Sequence, residues 1–393
     1  MREVYLDNNA TTKPLPEVRE AMMRVLGEDF GNPSSAHSAG DRVREAMVPA
    51  REAVAKLVGA EADQIVFMGS GTEANNTVFH SVVQRAPTGK RVRIVTTTVE
   101  HSSIIKMNDY LSARGVEVVS VPVDRCGQLV WEALNEAVTP DTDLVSVQWV
   151  NNETGAILPV EQIARLCQSR GVLFHTDAAQ AVGKLPVSVT ELPVDFLTFT
   201  AHKFHGPQGV GALYVRSSKG LLPLLWGGPQ EGGLRSGTEN VPGIIGMGTA
   251  AQLRLDRLED VQELMASLRD DFEQAVLDRV PDVEINGDPD MRVCNTTNLL
   301  FRDVDGQALV ARLDQEGVRC SQSSACTNQR PEPSYVLRAM GVSEAEAYSS
   351  VRFSFSEFNT VEDVDDVVAY LARLCEQLRR FSRRRLTSLV EVG

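Results

Sequence analysis

The sequence lacks several features that would place it in particular classes of protein. None of its apolar runs reaches the roughly 18 residues that a transmembrane helix needs. The first twelve residues, MREVYLDNNATT, contain no apolar segment typical of a signal peptide, so we expect a cytoplasmic protein. The net charge of −14 argues against general binding to nucleic acids or anionic membranes, because both depend on clustered Lys and Arg.

Cysteine is also sparse, with six residues scattered over 393 positions and no C-x-x-C pair. This pattern indicates neither a metal site nor a disulfide framework. Cys167 and Cys375 lie among apolar residues at helical spacing, which predicts that both are packed in the core. Cys326 differs, because the small polar residues of SSACTNQ surround it and predict an exposed loop where a thiolate can form.

Clustered positive charge occurs only near the C-terminus. The segment LRRFSRRRLTS contains Arg379, Arg380, Arg383, Arg384 and Arg385. A solvated helix end is the ordinary interpretation of such a run, and docking to an acidic partner is the alternative.

Between residues 45 and 215, helix and strand patterns alternate. Short apolar runs such as QIVFM, RVRIVTTT and VLFHT alternate with helical segments such as VEQIARLCQSR, which Gly171 should end. Near-continuous apolar strands separated by helices predict a mostly parallel sheet that is covered on both faces. Ligands of such sheets bind outside the carboxyl ends of the strands.

The last third of the chain has a different pattern, which predicts a smaller α+β domain that starts near residue 260. Ser343 and Glu346 fit a capping box, and Thr360 and Asp363 fit another at the start of an amphipathic helix. The alternating stretch SSVRFSFSEF lies between them and is typical of a strand.

Only seven lysines occur in the chain, and none follows residue 219. Lys203 comes between the strand-like run FLTFT and Gly206-Pro207, so its side chain is placed to enter a cleft. An amine there can form a Schiff base with a carbonyl cofactor. Taken alone, Lys203 is better explained as an exposed surface lysine, as most lysines are.

Three other signals stand at predicted strand ends. The sequence GSGT at 69–72 leads from a strand into a helix, where backbone N–H groups bind phosphate, although a plain strand-to-helix turn uses the same glycines. Asp177 follows an apolar strand and suits a protonated pyridine nitrogen; a helix N-cap is the alternative. His101 is either a stacking or acid–base ring or an ordinary hydrogen-bonded histidine. Together with Lys203, these signals predict pyridoxal 5'-phosphate (PLP) as the cofactor.

Motifs spread over nearly the whole chain carry a family resemblance. They are YLDNNATT at 5–12, GNPSSAH at 31–37, SGTEANN at 70–76, EH at 100–101, VNNETG at 150–155, HTDAAQAVGK at 175–184, AHKFHGPQGVGALYV at 201–215, RSGTEN at 235–240, SSAC at 323–326 and SSVRFS at 349–354. With these motifs the chain resembles the cysteine desulfurases of the class V (fold type I) PLP-dependent aminotransferases.

The resemblance implies an α/β fold type I enzyme, with a mainly parallel seven-stranded sheet covered by helices and a smaller α+β domain. The large PLP-binding domain would span residues 15–260. The small domain would comprise residues 1–14 and 261–393 and would carry the catalytic cysteine loop. In its length, the catalytic cysteine loop resembles the long mobile loop with which one subgroup of the family delivers sulfur to distant acceptors.

The resemblance also implies roles for individual residues. Lys203 would hold the cofactor as a Schiff base, and His101 would stack over the ring and shuttle protons. Asp177 would pair with the ring nitrogen, and Gln180 would bind the ring hydroxyl. Cys326 would be the nucleophile, which takes sulfur from L-cysteine as a persulfide and leaves L-alanine.

Further cofactor and substrate contacts follow from the same resemblance. The phosphate would be held by Gly71, Thr72, Thr200 and His202, and by Thr238 of the neighbouring subunit, which implies a homodimer with shared sites. Asn152, also a cofactor contact, and Arg352 would hold the substrate carboxylate, a task that suits the planar fork of arginine.

Two positions depart from the family pattern. Gly232 stands where an arginine is common, so one local contact is missing or replaced. The C-terminal RRFSRRRLTSLVEVG does not match the tail that housekeeping iron–sulfur members use for their scaffold partner. The persulfide acceptor therefore stays open among iron–sulfur scaffold proteins, tRNA-thiolation enzymes, DNA phosphorothioation systems and sulfur-metabolite pathways.

Other interpretations remain beside the favoured one. An aminotransferase or a selenocysteine lyase would use the same scaffold, and the SSAC loop disfavours the first. A catalytically silent sulfur carrier is disfavoured by the joint presence of Lys203, Asp177, His101, Arg352 and Cys326. Cys320 is either a second thiol or a residue packed at a strand end.

Overall fold

The computed structural model describes residues 2–322 and 332–390, with side chains through residue 380. The strands, in chain order, are β1 Val4–Tyr5, β2 Ile65–Met68, β3 Arg93–Thr97, β4 Glu117–Val121, β5 Leu144–Ser146, β6 Leu173–Asp177, β7 Phe196–Thr200, β8 Gly211–Val215, β9 Val283–Ile285, β10 Thr296–Phe301, β11 Val318–Arg319 and β12 Ser350–Ser354. The helices are α1 Pro16–Gly27, α2 Ser38–Leu57, α3 Gly71–Arg85, α4 Ser102–Ser112, α5 Trp131–Ala137, α6 Val160–Arg170, α7 Val241–Arg279, α8 Gly306–Gln315, α9 Tyr335–Ala339, α10 Glu344–Tyr348 and α11 Val361–Val390.

A seven-stranded sheet in the order β2-β8-β7-β6-β5-β3-β4 forms the centre of the molecule. The pairs from β7 to β4 are parallel, and only β8 runs against its neighbours. Strands such as β2, β7 and β8 are buried along their whole length, as the near-continuous apolar runs predicted. The expected mainly parallel seven-stranded sheet is confirmed.

Local sequence signals define several helix ends. Gly171 ends α6 with a left-handed backbone (φ 67°), and its N–H donates to the carbonyls of Cys167 and Gln168. Ser343 and Glu346 form the predicted capping box at the start of α10. Both signals were identified correctly from the sequence because they depend on residues that are close in the chain.

The last third of the chain forms a smaller antiparallel sheet in the order β12-β10-β9. The N-terminal strand β1 pairs in parallel with β11, so Val4 and Leu6 pack into the same core as β10, β12 and α11. Helix α7 runs through the predicted boundary at residue 260 and is kinked at Arg257. The division into 15–260 on one side and 1–14 with 261–393 on the other stays a prediction.

Two predictions about cysteine and one about arginine can be compared with side-chain burial. Cys167 and Cys375 are fully buried, which confirms their place in the core. Arg379 is also buried, and its Nε donates to the main-chain oxygen of Arg302 at 2.9 Å. The interpretation of the arginine run as a solvated helix end is therefore wrong at Arg379, because this side chain caps loops of the smaller sheet; the side chains of 383–385 lie outside the described residues.

Within 2–322 and 332–390, no helix is both long and apolar enough to cross a membrane.

Candidate active site

Three predicted site residues follow parallel strands at one edge of the large sheet. His101 comes after β3, Asp177 ends β6, and Lys203 comes after β7. The carboxyl ends of parallel strands share one edge, so strand direction brings together groups that are far apart in the sequence. The charges of Asp177 and Lys203 both act on His101, so the structure places all three in one site.

Lys203 lies partly buried in the short turn after β7. Its Nζ donates hydrogen bonds to the main-chain oxygens of Asn9, at 2.5 Å, and Ala10, at 2.8 Å. Burial lowers the pKa of Lys203 to about 8, and the positive charge of Arg352 acts in the same direction against nearby carboxylates. A lysine with this pKa is partly neutral near pH 7, as a nucleophilic amine must be.

Asp177 is buried at the end of β6, with two hydrogen-bond donors around its carboxylate. Oδ2 accepts from Asn75 Nδ2 at 2.8 Å, and Oδ1 accepts from the backbone N–H of Ala179 at 3.0 Å. The second contact resembles an N-cap, the alternative from the sequence, although a turn and not a helix follows. Among the described residues no cation forms an ion pair with Asp177, so this buried acid suits a positively charged ligand atom.

His101 caps the start of α4 and keeps an exposed ring. Its Nδ1 accepts a hydrogen bond from the backbone N–H of Ser103 at 3.2 Å, so the proton of the neutral ring is on Nε2. Although the ring is exposed, the surrounding protein removes part of its water and so lowers the pKa of His101; Asp177 opposes this shift and Lys203 adds to it. The ring is therefore a hydrogen-bonded cap, as one interpretation expected, and its stacking or acid–base role stays a prediction.

The start of α3 lies beside the end of β7. A Cβ added at Gly71 would be 3.6 Å from Thr198 Cγ2 and 3.9 Å from Thr200 Cβ. Thr72 follows in the first turn of this 15-residue helix, whose first N–H groups have no acceptor within the helix. Such a helix start is a ready anion site.

His202 lies between Thr200 and Lys203 in the chain, and its ring contacts the N-terminal segment. Its Nδ1 is 3.2 Å from Thr11 Oγ1. Burial, followed by the charges of Lys203 and Lys184, lowers the pKa of His202 to about 4. The ring is thus neutral at physiological pH and can act as a hydrogen-bond donor without adding charge.

A cavity of about 600 Å³ between α3 and α4 opens beside this helix start. Thr72 and Ser103 form part of its wall, and Lys106, Tyr110 and Arg114 form another part. Two of these lining side chains, Lys106 and Arg114, are basic and favour the approach of an anionic molecule.

Gln180 lies on the turn after Asp177 and is 5% exposed. Its Nε2 donates to the main-chain oxygen of Asn9 at 2.9 Å, the same oxygen that accepts from Lys203 Nζ. Its Oε1 accepts from Lys184 Nζ. The main-chain oxygen of Asn9, in the N-terminal segment, therefore links Gln180 to Lys203.

Arg352 and Asn152 meet at the other side of the site. Arg352 is buried on β12; its Nη1 donates to the main-chain oxygen of Asn152 at 2.9 Å, and its Nη2 pairs with Asp7 Oδ1 at 2.6 Å. Arg352 Nε and Asn152 Oδ1 are buried and find no partner among the described residues. Buried polar atoms are nearly always hydrogen-bonded, so these two atoms fit a site that a polar ligand completes.

Thr238 is exposed on a segment that is fixed to the start of α3. Arg235 Nε pairs with Glu73 Oε1 at 2.9 Å, and Glu73 Oε2 accepts from the backbone N–H of Gly69 at 2.9 Å. Thr238, Gly69 and Arg235 line a small cavity of about 100 Å³. The structure thus places Thr238 near the strand-to-helix turn with an exposed side chain, and its contact with a second subunit stays a prediction.

The turn that contains Gly232 is held in place by the neighbouring residue Glu231. Gly232 has a left-handed backbone (φ 64°), with nothing within 4 Å of a Cβ added there. The preceding Glu231 pairs with Arg51 at 2.6 Å and accepts from the backbone N–H of Phe67 at 2.8 Å. These contacts attach the turn to β2.

Cys326 lies outside the described residues, but the chain that follows its loop is fixed beside His101. The hydroxyl of Tyr335 donates to the main-chain oxygen of Glu100 at 2.6 Å. The hydroxyl of Ser334 donates to the carboxylate of Glu153.

The chain that precedes the loop is fixed to β12. The backbone N–H of Arg352 donates to Ser321 at 2.8 Å, and Gln322 Nε2 donates to the main-chain oxygen of Tyr348 at 2.7 Å. Cys320 packs against the core of the smaller sheet, and burial raises the pKa of its thiol. This agrees with a packing role for Cys320 rather than that of a second reactive thiol.

Several functional neighbours were missed by the sequence analysis. Asn75 binds Asp177, Asn9 and Lys184 surround Gln180, and Glu100 precedes His101. Burial raises the pKa of Glu100 to about 8 despite hydrogen bonds from a threonine hydroxyl and a backbone N–H. All four belong to motifs that were quoted above, but a motif alone does not reveal which of its side chains meet.

The chain is similar to known proteins over nearly its whole length. The family model described as aminotransferase class-V matches residues 4–367. A curated cysteine desulfurase of Cereibacter sphaeroides is 45% identical over 384 residues, which cover 97% of this chain and 98% of that protein. The cysteine desulfurase NifS of Azotobacter vinelandii is 43% identical over 383 residues, with 97% and 95% covered.

A solved structure described as a NifS-like protein has the same architecture. It superposes with a TM-score of 0.90 at 36% sequence identity, and the match covers 96% of this chain and 100% of that one.

Proposed function

This chain belongs to the class-V aminotransferase family, and we propose that it acts as a cysteine desulfurase in which Lys203 holds PLP and Cys326 receives sulfur. The class is PLP-dependent, and identity above 40% over full length gives the activity: the chain takes sulfur from L-cysteine for transfer to an acceptor. The observation that carries the residue assignment is the partly neutral amine of Lys203 at the same sheet edge as Asp177, a buried acid that has no ion-pair partner within the described part of the chain.

The groups at this edge fit PLP. Lys203 Nζ is an amine suited to the aldehyde, and Asp177 is a buried carboxylate that suits the protonated ring nitrogen. His101 presents an exposed ring for stacking, and Gln180 Nε2 is a donor for the ring hydroxyl. The phosphate would be held by Gly71, Thr72, Thr200 and His202.

Substrate binding is assigned to the atoms that the protein leaves unsatisfied. Arg352 Nε and Asn152 Oδ1 are buried without partners in the described structure. The guanidinium of Arg352 binds the carboxylate of L-cysteine through Nε and a neighbouring N–H, for which it exchanges contacts now made to Asp7. Asn152 also helps to hold the substrate carboxylate, and it orients the substrate amine through Oδ1.

Proton transfer is assigned to two bases of the large domain. Bound PLP supplies an electron-withdrawing ring that weakens the bonds at the α-carbon of an attached amino acid. Lys203 Nζ accepts the α-proton, because its lowered pKa leaves it partly unprotonated near neutral pH. His101 carries a proton on Nε2 of its imidazole and donates this proton as the product forms.

Sulfur transfer is assigned to Cys326. Its thiolate attacks the substrate sulfur, so that an S–S bond forms as the C–S bond breaks and the carbon fragment keeps the electron pair and gains a proton. The sum conserves atoms: L-cysteine and an enzyme thiol give L-alanine and an enzyme persulfide.

A homodimer would complete the phosphate site. Thr238 is exposed on a segment fixed by the Arg235–Glu73 ion pair, so its hydroxyl is held ready for the phosphate bound by a second subunit. Dimer formation that depends on this surface would support the assignment.

The acceptor and the cellular location are part of the same proposal. We propose that the persulfide passes to an iron–sulfur scaffold protein or to an enzyme of another thiolation pathway. We also propose a cytoplasmic location, because the five described cysteines are all free thiols, as is usual in a reducing compartment.

The decisive experiment replaces the proposed nucleophile. Cys326→Ser should lower L-alanine formation from L-cysteine by about 100-fold or more, while the visible absorbance of bound PLP is unchanged. Cys126→Ser is the matched control, since Cys126 is an exposed thiol away from the site. Undiminished alanine formation by Cys326→Ser would remove Cys326 from the mechanism.

A further inference from the structure

Lys184 is a buried amine that the proposed mechanism does not use. Its side chain is 3% exposed, and its Nζ donates to Asn9 Oδ1 at 3.2 Å and to Gln180 Oε1. No ion pair formed within the described part of the chain includes Lys184. A buried ammonium with only neutral acceptors is costly, and an apolar residue of the same length would fill the space without this cost. Packing alone therefore does not explain a lysine here.

The contact with Lys184 determines which way the Gln180 amide faces. A protonated lysine can only donate, so the oxygen of the amide must face Nζ and the NH₂ group must face the other way. One hydrogen of that NH₂ group is used by the main-chain oxygen of Asn9 at 2.9 Å. The other remains for a hydrogen-bond acceptor in the site, which the ring oxygen of PLP would be.

The same contact links Lys184 to Lys203. Asn9 accepts from Lys184 through its side chain and from Lys203 through its main-chain oxygen, so the two amines share one anchoring residue. The charge of Lys203 lowers the pKa of Lys184, so Lys203, with a pKa of about 8, takes up a proton before Lys184, with a pKa of about 7, as the pH falls.

The surroundings of Lys184 are mainly positive. The titratable and charged groups that act with it are Lys203, His202 and His205 after β7, Arg254 on α7, Cys294 before β10 and Arg352 on β12. Burial, followed by the charge of Lys203, lowers the pKa of Lys184 to about 7, and only the thiol of Cys294 acts against this shift.

We propose that Lys184 is a positioning residue of the active site, whose hydrogen bond to Gln180 Oε1 turns the NH₂ group of that amide toward the cofactor. This inference rests on the proposed function, in which Lys203 and Gln180 bind PLP. Lys184 itself touches neither substrate nor cofactor and acts through Gln180.

The test uses the cofactor-free, full-length protein and follows the uptake of added PLP by its visible absorbance as a function of pH. Lys184→Met removes both the charge and the donor, whereas Lys184→Gln removes the charge and keeps a donor for Gln180. Lys56→Met is the matched control, since Lys56 is exposed at the end of α2.

We expect the equilibrium affinity for PLP to fall by about tenfold in Lys184→Met, because the Gln180 amide loses the donor that holds its oxygen. The pH midpoint of PLP uptake should stay near that of the wild type in both Lys184 variants, since the groups that lower the pKa of Lys203 are unchanged. The equilibrium affinity for PLP should fall further in Lys184→Met than in Lys184→Gln, because only the latter still holds the Gln180 oxygen. Lys56→Met should match the wild type in both measurements.

An unchanged affinity for PLP in a folded Lys184→Met would overturn the inference. Equal affinities of the two variants would also overturn the orienting role of Lys184. The proposed function fails separately: if borohydride reduction of the wild type with PLP fixed no cofactor to Lys203, the site assignment itself would be wrong. A loss of thermal stability without a change in PLP affinity would indicate a structural role only.

Discussion

Buried basic side chains lie on both sides of the site, at the large sheet and at the smaller sheet, and they differ in their hydrogen-bond partners. At the edge of the large sheet, Lys203 and Lys184 have neutral acceptors for their hydrogen bonds, and the pKa of each is lowered, to about 8 and about 7. On the smaller sheet, Arg352 pairs with a carboxylate, Asp7, at 2.6 Å. The unpaired amines can lose or gain a proton near neutral pH, whereas the guanidinium remains charged.

The surroundings of Arg352 explain how it is held. Side chains on a strand alternate between faces, so Arg352 faces the site while its neighbours Val351 and Phe353 face the core. Phe353 packs against Phe272 with ring centroids 5.0 Å apart. One side of the site is therefore suited to proton transfer and the other to the rigid binding of a carboxylate.

The largest effect should come from removing the reactive amine. Lys203→Ala should lower alanine formation on the order of 1,000-fold or more, because both the attachment of PLP and the proton acceptor are lost. Borohydride reduction followed by mass spectrometry should no longer find PLP on the chain. Lys219→Ala, an exposed lysine in the neighbouring segment, is the control and should retain both. Covalently bound PLP in Lys203→Ala would contradict the assignment.

A smaller effect should follow from a change on the other side. Arg352→Lys keeps the charge but loses the planar fork, so we expect the KM for L-cysteine to rise about tenfold to 100-fold. The kcat should change less, since the reacting groups belong to the large sheet. Arg373→Lys, at a half-exposed ion pair on α11, is the control. If kcat fell while KM stayed constant, Arg352 would act in the chemical step, as the reactive amines do. The division of the site into a proton-transfer side and a carboxylate-binding side would then be wrong.

Some of this contrast could be predicted from the sequence. Lys203, Asp177 and His101 were found because each follows an apolar strand, and parallel strands bring their carboxyl ends together. The family, the cofactor and the desulfurase activity, predicted from motifs, are confirmed by the full-length relatives. The fold prediction was also correct, since it depends on patterns within single strands and helices.

The partners of these residues could not be predicted in the same way. Asn75 reaches Asp177 from α3, and Asp7 reaches Arg352 from the N-terminal segment, so neither contact leaves a pattern at short range. The alternative that Lys203 is an ordinary surface lysine was removed only by its partial burial. Whether a charged side chain is paired is decided by tertiary packing, and this is the property that separates the two sides of the site.

A further prediction concerns Lys184 on the large-sheet side and is measured through the stability of the fold. The pKa of Lys184 in the folded protein, about 7, lies below the ordinary lysine value of 10.5. Between these values the unfolded chain binds more protons than the folded one, so this residue makes the free energy of unfolding rise with pH, by at most about 1.4 kcal/mol per unit. Lys184→Met lacks this pH dependence. Urea unfolding of the cofactor-free proteins should therefore show that the free energy of unfolding of the wild type rises relative to that of Lys184→Met between pH 7 and pH 10. The difference between the wild type and Lys56→Met should not change with pH. Parallel curves for Lys184→Met would mean that Lys184 is charged in the folded protein like the arginine opposite, and the distinction between the two sides would disappear.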